Sequence, residues 1–239
     1  MAERTIRVLR DPAEISEKAA EYIIDAAAEA IALTGRFTLA LSGGRTPKSL
    51  YTLLAAGDNL QEIDWGNVEI YFGDERTVPP EHADSNYRMA KEALLDVVPI
   101  PAGNIHRMKG EIDPAAAAIE YDKLLQDRFA EGAGLDLILL GMGDDGHTAS
   151  LFPHTEALGE TKHRCVANFV PQMKTWRITL SAPFINQSRE VLVMVEGAGK
   201  AGRVAEVLEG PEDPGRLPIQ MIRPRNKYFW LMDVAAAGM

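Results

Sequence analysis

Short apolar runs alternate with longer helical patterns along almost the whole chain, and this alternation restricts the fold more than any other feature. A short apolar run without polar alternation is typical of a parallel strand that helices cover on both faces. The pattern predicts an α/β protein with three layers, in which a mostly parallel, Rossmann-like sheet lies between helices. Residues 1–239 show no internal repeat and no long linker, so we expect a single domain.

The predicted strands are residues 6–9, 37–41, 68–72, 104–108, 135–140, 166–170, 177–180, 191–195 and 228–232. Helices are predicted where a capping residue or an early proline opens an Ala-rich or amphipathic stretch: residues 12–33, a helix whose first turn contains Pro47, residues 86–95 after Ser85, residues 114–130 and residues 199–208.

Composition limits the classes of function. A formal net charge of −10 argues against binding a nucleic-acid backbone, although it allows a small anion held by local cations. The chain begins without the apolar stretch of a signal peptide and has no run of about 20 apolar residues, so we expect no membrane contact and a cytoplasmic location. The single cysteine, Cys165, agrees with a reducing compartment.

The apolar run at 135–140 is followed by glycines, two carboxylates and a histidine within residues 141–153. Parallel sheets bind ligands at the carboxyl ends of their strands, and glycines let the backbone approach a small substrate closely there. Histidine is the residue type that ordinarily changes charge near neutral pH, and the one histidine of this part of the segment, His147, has Asp145 two residues before it. The pattern indicates a general base with a carboxylate that orients it.

A second glycine turn, Ser42-Gly43-Gly44-Arg45-Thr46, lies between a predicted strand and a predicted helix. Backbone amides, hydroxyls and the positive end of the helix dipole favour an anion such as phosphate, and an arginine adds donors. The segment does not match a Walker loop. A tight turn without a ligand is an equally good interpretation of this segment alone.

Two more strand ends carry charged residues. Asp74 and Arg76 follow the run at 68–72 and are expected at the same edge of the sheet as the glycine turns, although charges at a strand end are usually a solvated rim. Lys200 follows the run at 191–195 in the first turn of a helix, and Arg177 opens another strand. Either cation can hold an anion, but for each alone an ordinary surface role is more common.

Two other interpretations of the histidine segment are open. Gly141, Gly143 and Gly146 match the dinucleotide fingerprint, but the carboxylates of Asp144 and Asp145 would lie where a pyrophosphate must approach. Asp144, Asp145 and His147 are also metal-ligand types, but the sequence offers no further ligand with suitable spacing. We therefore predict neither a dinucleotide cofactor nor a metal site.

Taken together, the motifs resemble the 6-phosphogluconolactonase family, in the superfamily that includes glucosamine-6-phosphate deaminases. The resemblance rests on five segments in this order: Ser42 to Pro47, Gly73 to Arg76 with Asp84-Ser85-Asn86, Gly141 to Pro153, Arg177 to Leu180, and Gly199-Lys200-Ala201. Deaminases supply a glutamate from the segment where this chain has Ser150 to Pro153, and they typically have an aromatic residue where this chain has Arg76. Both departures favour the lactonase branch.

The resemblance implies hydrolysis of 6-phospho-D-glucono-1,5-lactone to 6-phosphogluconate without a cofactor, by a monomer or small homo-oligomer. It implies His147 as the base, Asp145 or Asp74 as the residue that orients the base or the water, and Arg76 as the stabiliser of charge on the carbonyl oxygen. The phosphate would be held by Ser42, Gly43, Gly44, Arg45, Thr46, Arg177 and Lys200. The alternatives are an amino-sugar-phosphate deaminase or isomerase and a sugar-phosphate sensor without catalysis.

Overall fold

The structure, a computed structural model, describes residues 3–239 as a six-stranded parallel sheet with helices packed on it and a smaller three-stranded antiparallel sheet. The strands are β1 (Arg4–Leu9), β2 (Phe37–Leu41), β3 (Val68–Phe72), β4 (Asp74–Arg76), β5 (Leu137–Gly141), β6 (Cys165–Val170), β7 (Thr175–Leu180), β8 (Glu190–Val195) and β9 (Lys227–Asp233). The α-helices are α1 (Pro12–Thr34), α2 (Arg45–Leu54), α3 (Asn59–Glu62), α4 (Asn86–Ala90), α5 (Pro114–Arg128), α6 (Ala182–Gln187) and α7 (Ala201–Glu209).

The large sheet has the strand order β1-β9-β8-β5-β2-β3, and its inner strands are covered on both faces. Every residue of β2 and of β8 is buried, which explains why these strands are apolar runs without alternation. Buried residues from both sheets belong to one hydrophobic cluster, in which Phe72 of β3 and Ile178 of β7 take part. The predicted α/β fold with a mostly parallel sheet is confirmed.

Local signals set the limits of the longest helix. Asp11 accepts a hydrogen bond from the Glu14 amide at 2.9 Å, and Pro12 occupies the first turn, where its missing N–H costs nothing. The helix ends at Gly35, whose φ of 80° lies in the left-handed region that favours glycine. No helix among residues 3–239 is long and apolar enough to cross a membrane.

Three details differ from the sequence prediction. Residues 104–108 do not form a strand; a short 3₁₀ turn, Ala102–Asn104, leads to a single bridge between Ile105 and Ile70. The helix predicted over 86–95 changes after Ala90 into a π-helical turn, Lys91–Leu95. The predicted strands β6 and β7 form a separate antiparallel sheet in the order β4-β7-β6, where β7 pairs with both neighbours, and the segment of β4 was expected to be a charged strand end.

The two sheets are joined directly next to the glycine turns. Gly73 separates β3 from β4, its amide donates to the Leu41 carbonyl at 2.9 Å, and its carbonyl accepts from the Leu180 amide at 2.9 Å. One residue is therefore hydrogen-bonded to β2 of the large sheet and to β7 of the small one. Residues that follow the carboxyl ends of β2, β3, β5 and β8, which are neighbours in the large sheet, lie at this edge together with residues of the small sheet.

Candidate active site

A cavity of about 350 Å³ opens at this edge, between the strand ends of the large sheet and the antiparallel sheet. Eight residues that the sequence predicted as functional line it: Ser42, Gly43, Gly44, Asp74, Arg76, His147, Arg177 and Lys200. Asp145, Arg45 and Thr46 are not part of the lining. The remaining lining includes Asn86, Ser150 and Phe152, to which the sequence analysis assigned no role.

His147 is held by three neighbours. Its Nδ1 lies 2.6 Å from Asp145 Oδ1, and its ring stacks on Phe152 with centroids 4.0 Å apart and an interplanar angle of 23°. The ring also lies against Gly143, where a β-carbon would be 2.0 Å from Nδ1. Among residues 3–239 the Nε2 atom has no hydrogen-bond partner. With the proton on Nδ1 facing Asp145, Nε2 carries the lone pair of a base.

Asp145 acts on the imidazole from outside the cavity. Its Oδ1 also accepts the His147 amide at 3.1 Å, so the carboxylate fixes both the backbone and the ring of the histidine. Burial raises the pKa of the Asp145 carboxyl, but the hydrogen bond and charge of His147 outweigh it, so this pKa lies below its usual 3.8. An ionised carboxylate in this position can stabilise a positive charge on the neighbouring imidazole.

Asp74, at the start of β4, is a second and more deeply buried carboxylate, with 8% of its surface exposed. Its Oδ2 accepts from the Ser150 hydroxyl at 2.6 Å, and its Oδ1 accepts from the Asn86 amide nitrogen at 3.1 Å. Both oxygens are therefore oriented by neutral donors. Asn86 belongs to the Asp84-Ser85-Asn86 motif, and Ser150 lies within the histidine segment at 141–153, so both had a sequence signal but no assigned role.

Arg76 and Arg177 form a cationic wall. They are register partners in the antiparallel pair of β4 and β7. Arg76 donates to the Asp84 carbonyl at 2.5 Å, and Arg177 donates to the Trp176 carbonyl at 3.1 Å. Burial, and next the charge of Arg76, lower the pKa of the Arg177 guanidinium. A paired cationic surface with only neutral protein partners is suited to an anionic ligand.

A buried tyrosine, Tyr51, holds the backbone of the glycine turn that follows β2. The Tyr51 hydroxyl accepts from the Ser42 amide at 2.9 Å and donates to the Ser42 carbonyl at 2.8 Å. Gly44 has a φ of 110°, which only glycine adopts readily, and no side chain caps the helix α2 that follows. The first amides of this helix are therefore available to an anion.

The remaining predicted cations have protein partners. Arg45 Nε lies 3.1 Å from Glu196 Oε1, and the Arg45 side chain is 88% exposed. Lys200 Nζ lies 2.5 Å from Asp144 Oδ1, while its side chain is largely buried against the cavity. The structure thus brings Lys200 to the site and directs the Arg45 side chain to Glu196.

The histidine segment has neither of the two arrangements expected for a dinucleotide loop or for a metal site within the described residues. A dinucleotide loop opens a helix, whereas the next helical element after Gly146 in the described chain is the short 3₁₀ turn Glu156–Gly159. Residues 3–239 contain no group of three or more His, Cys, Asp or Glu side chains arranged to hold a metal ion. Asp144 instead contacts Lys200, and Asp145 contacts His147.

Known proteins match nearly the whole chain. Residues 10–230 match the family model described as glucosamine-6-phosphate isomerases/6-phosphogluconolactonase. A 6-phosphogluconolactonase of Nostoc sp. is 42% identical over 98% of this chain and 98% of its own length. The structure of the 6-phosphogluconolactonase from Trypanosoma brucei superposes with a TM-score of 0.86 at 30% identity, covering 100% of this chain and 99% of that one.

A monomeric glucosamine-6-phosphate deaminase also superposes, with a TM-score of 0.84 over 98% of this chain and 99% of its own, but at 20% identity it shows the shared fold alone. The two-sheet architecture is therefore common to both branches of the superfamily. The family match and the full-length relatives together establish that this chain belongs to the glucosamine-6-phosphate isomerase/6-phosphogluconolactonase family.

Proposed function

We propose that His147 is the general base with which this chain, as a 6-phosphogluconolactonase, hydrolyses 6-phospho-D-glucono-1,5-lactone to 6-phospho-D-gluconate. The observation that carries the proposal is the hydrogen bond of 2.6 Å between His147 Nδ1 and Asp145, which leaves Nε2 as a base at the cavity. A δ-lactone is an activated ester, so a water molecule assisted by one base can attack it without a covalent intermediate. General-base assistance typically contributes about 10²- to 10⁴-fold to the rate.

The proposed reaction has two steps. In the first, Nε2 takes a proton from water while the water oxygen bonds to the lactone carbonyl carbon, and the carbonyl electron pair moves to its oxygen. Arg76 stabilises that oxyanion. In the second, the carbonyl re-forms, the bond from carbon to the ring oxygen breaks, and His147 returns its proton to the ring oxygen. The product acid then releases a proton to solvent.

The phosphate of the substrate is proposed to lie between the glycine turn and the cations of the opposite wall. Ser42, Gly43 and Gly44 supply amides and a hydroxyl, and Lys200 and Arg177 supply charge. Arg45 and Thr46 contribute through the free amides of the first turn of α2, since the Arg45 side chain bonds Glu196. A held phosphate fixes the lactone against His147, so phosphate contacts support turnover as well as affinity.

The test is a lactonase assay with freshly generated lactone, in which a pH indicator follows acid release and the spontaneous rate is subtracted. His147→Ala is expected to lose at least about 10²-fold in kcat while 6-phosphogluconate still binds in calorimetry. His163→Ala is the matched control, because His163 also contacts an aspartate, Asp122, but lies outside the cavity lining. Equal turnover of His147→Ala and wild type would end the assignment. Ammonia release from glucosamine-6-phosphate would favour a deaminase.

We further propose a cytoplasmic setting, supported by the single cysteine, Cys165, which is buried. For the quaternary structure, we propose a monomer or a small homo-oligomer. Light scattering coupled to size-exclusion chromatography measures it directly, and a large polymer would contradict it.

A further inference from the structure

Asn86 begins the helix α4, but its side chain takes no part in capping that helix. Only 2% of its surface is exposed, and it is the first residue of α4. The helix is capped without its side chain, because the Ser85 hydroxyl accepts from the Arg88 amide at 3.1 Å. Glu75 accepts the Asn86 amide and the Tyr87 amide, each at 2.8 Å. The carboxamide of Asn86 is thus free to act toward the cavity that it lines.

One end of this carboxamide is tied to the buried carboxylate. Asn86 Nδ2 donates to the Asp74 carbonyl at 3.0 Å and to Asp74 Oδ1 at 3.1 Å. The other carboxylate oxygen already accepts from Ser150. Because its two oxygens are bonded to different parts of the chain, the Asp74 carboxylate cannot turn without breaking a buried hydrogen bond.

The other end of the carboxamide packs against the glycine turn. A β-carbon on Gly43 would lie 2.0 Å from Asn86 Oδ1 and 2.5 Å from Cγ, so the two residues are in direct contact. Oδ1 is buried and has no hydrogen-bond partner among residues 3–239. A buried acceptor without a partner is rare in native proteins and calls for an explanation in function or geometry.

We propose that Asn86 is a positioning residue that fixes the orientation of Asp74 and the distance between Asp74 and the glycine turn of Ser42, Gly43 and Gly44. The Asn86 carboxamide lies between the Asp74 carboxylate and the backbone amides of the glycine turn, and it acts as the spacer between them. This inference rests on the proposed function, in which the turn holds the phosphate and Asp74 lies beside the reacting end of the substrate. The spacer then sets where the lactone carbonyl lies relative to His147.

The test is a double-mutant cycle of Gly43→Ala and Asn86→Ala, read as kcat, KM and melting temperature. Asn86→Ala is expected to lower kcat by about 10- to 100-fold, because a displacement near 1 Å has such an effect, with a change in KM of less than about threefold. Gly43→Ala alone is expected to lose activity because its methyl group collides with the carboxamide. In the Asn86→Ala background the same methyl group enters the vacated space and costs less than about threefold more.

Control variants distinguish a failure of the spacer proposal from misfolding and from a failure of the proposed base. Asn104→Ala also removes a carboxamide whose Nδ2 donates two hydrogen bonds, here to the carbonyls of Gly66 and Val68 at the opposite end of β3, and it should leave kcat within about twofold. If Asn86→Ala does not fold, Asn86→Ser replaces it in the same cycle. Fully multiplicative effects, or an Asn86 variant with wild-type kcat, would overturn the spacer. An active His147→Ala with a strongly non-additive cycle would instead overturn the proposed base and leave the spacer standing.

Discussion

Arg76 and Arg177 lie opposite each other in the antiparallel pair of β4 and β7, and within residues 3–239 neither has a carboxylate oxygen within 4.0 Å. Like charges directly opposite in a sheet destabilise it. Arg177 is also buried, which lowers its pKa together with the charge of Arg76. We infer that the pair is suited to a bound state in which anionic groups of the substrate lie beside the two guanidinium groups.

This arrangement predicts opposite effects on stability and on affinity. Arg177→Met should raise the KM for the phosphorylated lactone at least about tenfold, since a hydrogen bond to a charged group contributes roughly 1.5–3 kcal/mol. The same variant should unfold no more easily than wild type in the absence of ligand, and its free energy of unfolding is expected to rise by up to about 1 kcal/mol. Steady-state kinetics and urea denaturation measure the two effects.

Arg189→Met is the matched control, because Arg189 contacts Glu29 at 3.1 Å and Asp136 at 3.8 Å. It should lower the free energy of unfolding by up to about 1 kcal/mol without changing KM. A loss of stability in Arg177→Met as large as that of Arg189→Met would contradict the interpretation of the arginine pair.

Gly143→Ala should inactivate the enzyme by moving the histidine. The new β-carbon would lie 2.0 Å from His147 Nδ1 and 2.8 Å from Asp145 Oδ1, so the ring must leave its position. A kcat lower by about 10²-fold is expected, with product affinity in calorimetry largely kept. Gly159→Ala, which meets no atom within 4 Å, is the control and should behave as wild type. Retention of activity in Gly143→Ala would show that the ring position is not needed.

Asp145→Asn should change how stability depends on pH. The folded pKa of Asp145 lies below the usual 3.8, so its ionised form favours the folded state. That contribution is present above about pH 4 and is lost as pH falls through the folded pKa. Wild type is thus expected to unfold at higher urea concentration than Asp145→Asn at pH 7 and pH 5, with the difference shrinking toward pH 3. A constant difference over this range would argue against the pairing with His147.

Tyr51→Phe tests the support of the glycine turn. The variant leaves the amide and carbonyl of Ser42 without their buried partner, which should lower the free energy of unfolding by roughly 1–3 kcal/mol and raise KM. Tyr22→Phe is the control, because the Tyr22 hydroxyl bonds Glu190, which does not line the cavity. It should affect stability only. An unchanged KM in Tyr51→Phe would show that the turn holds its shape without the tyrosine.

The sequence predicted those parts of the site for which residue chemistry and sheet geometry indicate the same position. His147, Asp74 and Lys200 follow apolar runs, and because parallel strands end at one edge, their meeting was expected. The strand β4 was missed because three charged residues carry no apolar pattern, and its pairing depends on β7, which lies about a hundred residues later. The partner of Arg45 was missed for the same reason, since its contact with Glu196 joins distant parts of the chain.

Asn86 shows a different limit. As the first residue after Ser85 it fits a capping motif, and that local explanation hides its tertiary contacts with Asp74 and Gly43. The strand predicted at 104–108 was wrong: its pattern suits a strand, but its backbone pairing with the edge strand β3 is limited to one isolated bridge, at which the His106 amide donates to the Ile70 carbonyl at 2.8 Å. In both cases the deciding interactions are non-local.

Gly73 links the two sheets through its own backbone, and this link has a consequence for the way the cleft is formed. Because this one residue is hydrogen-bonded to β2 and to β7, we expect the wall with the arginines and the wall with the histidine to keep a fixed relative position. We therefore expect the cleft to be assembled when the chain folds, without a domain that closes in each turnover. Substrate association then orders little besides the substrate itself, which suits an enzyme whose substrate also decays spontaneously in water.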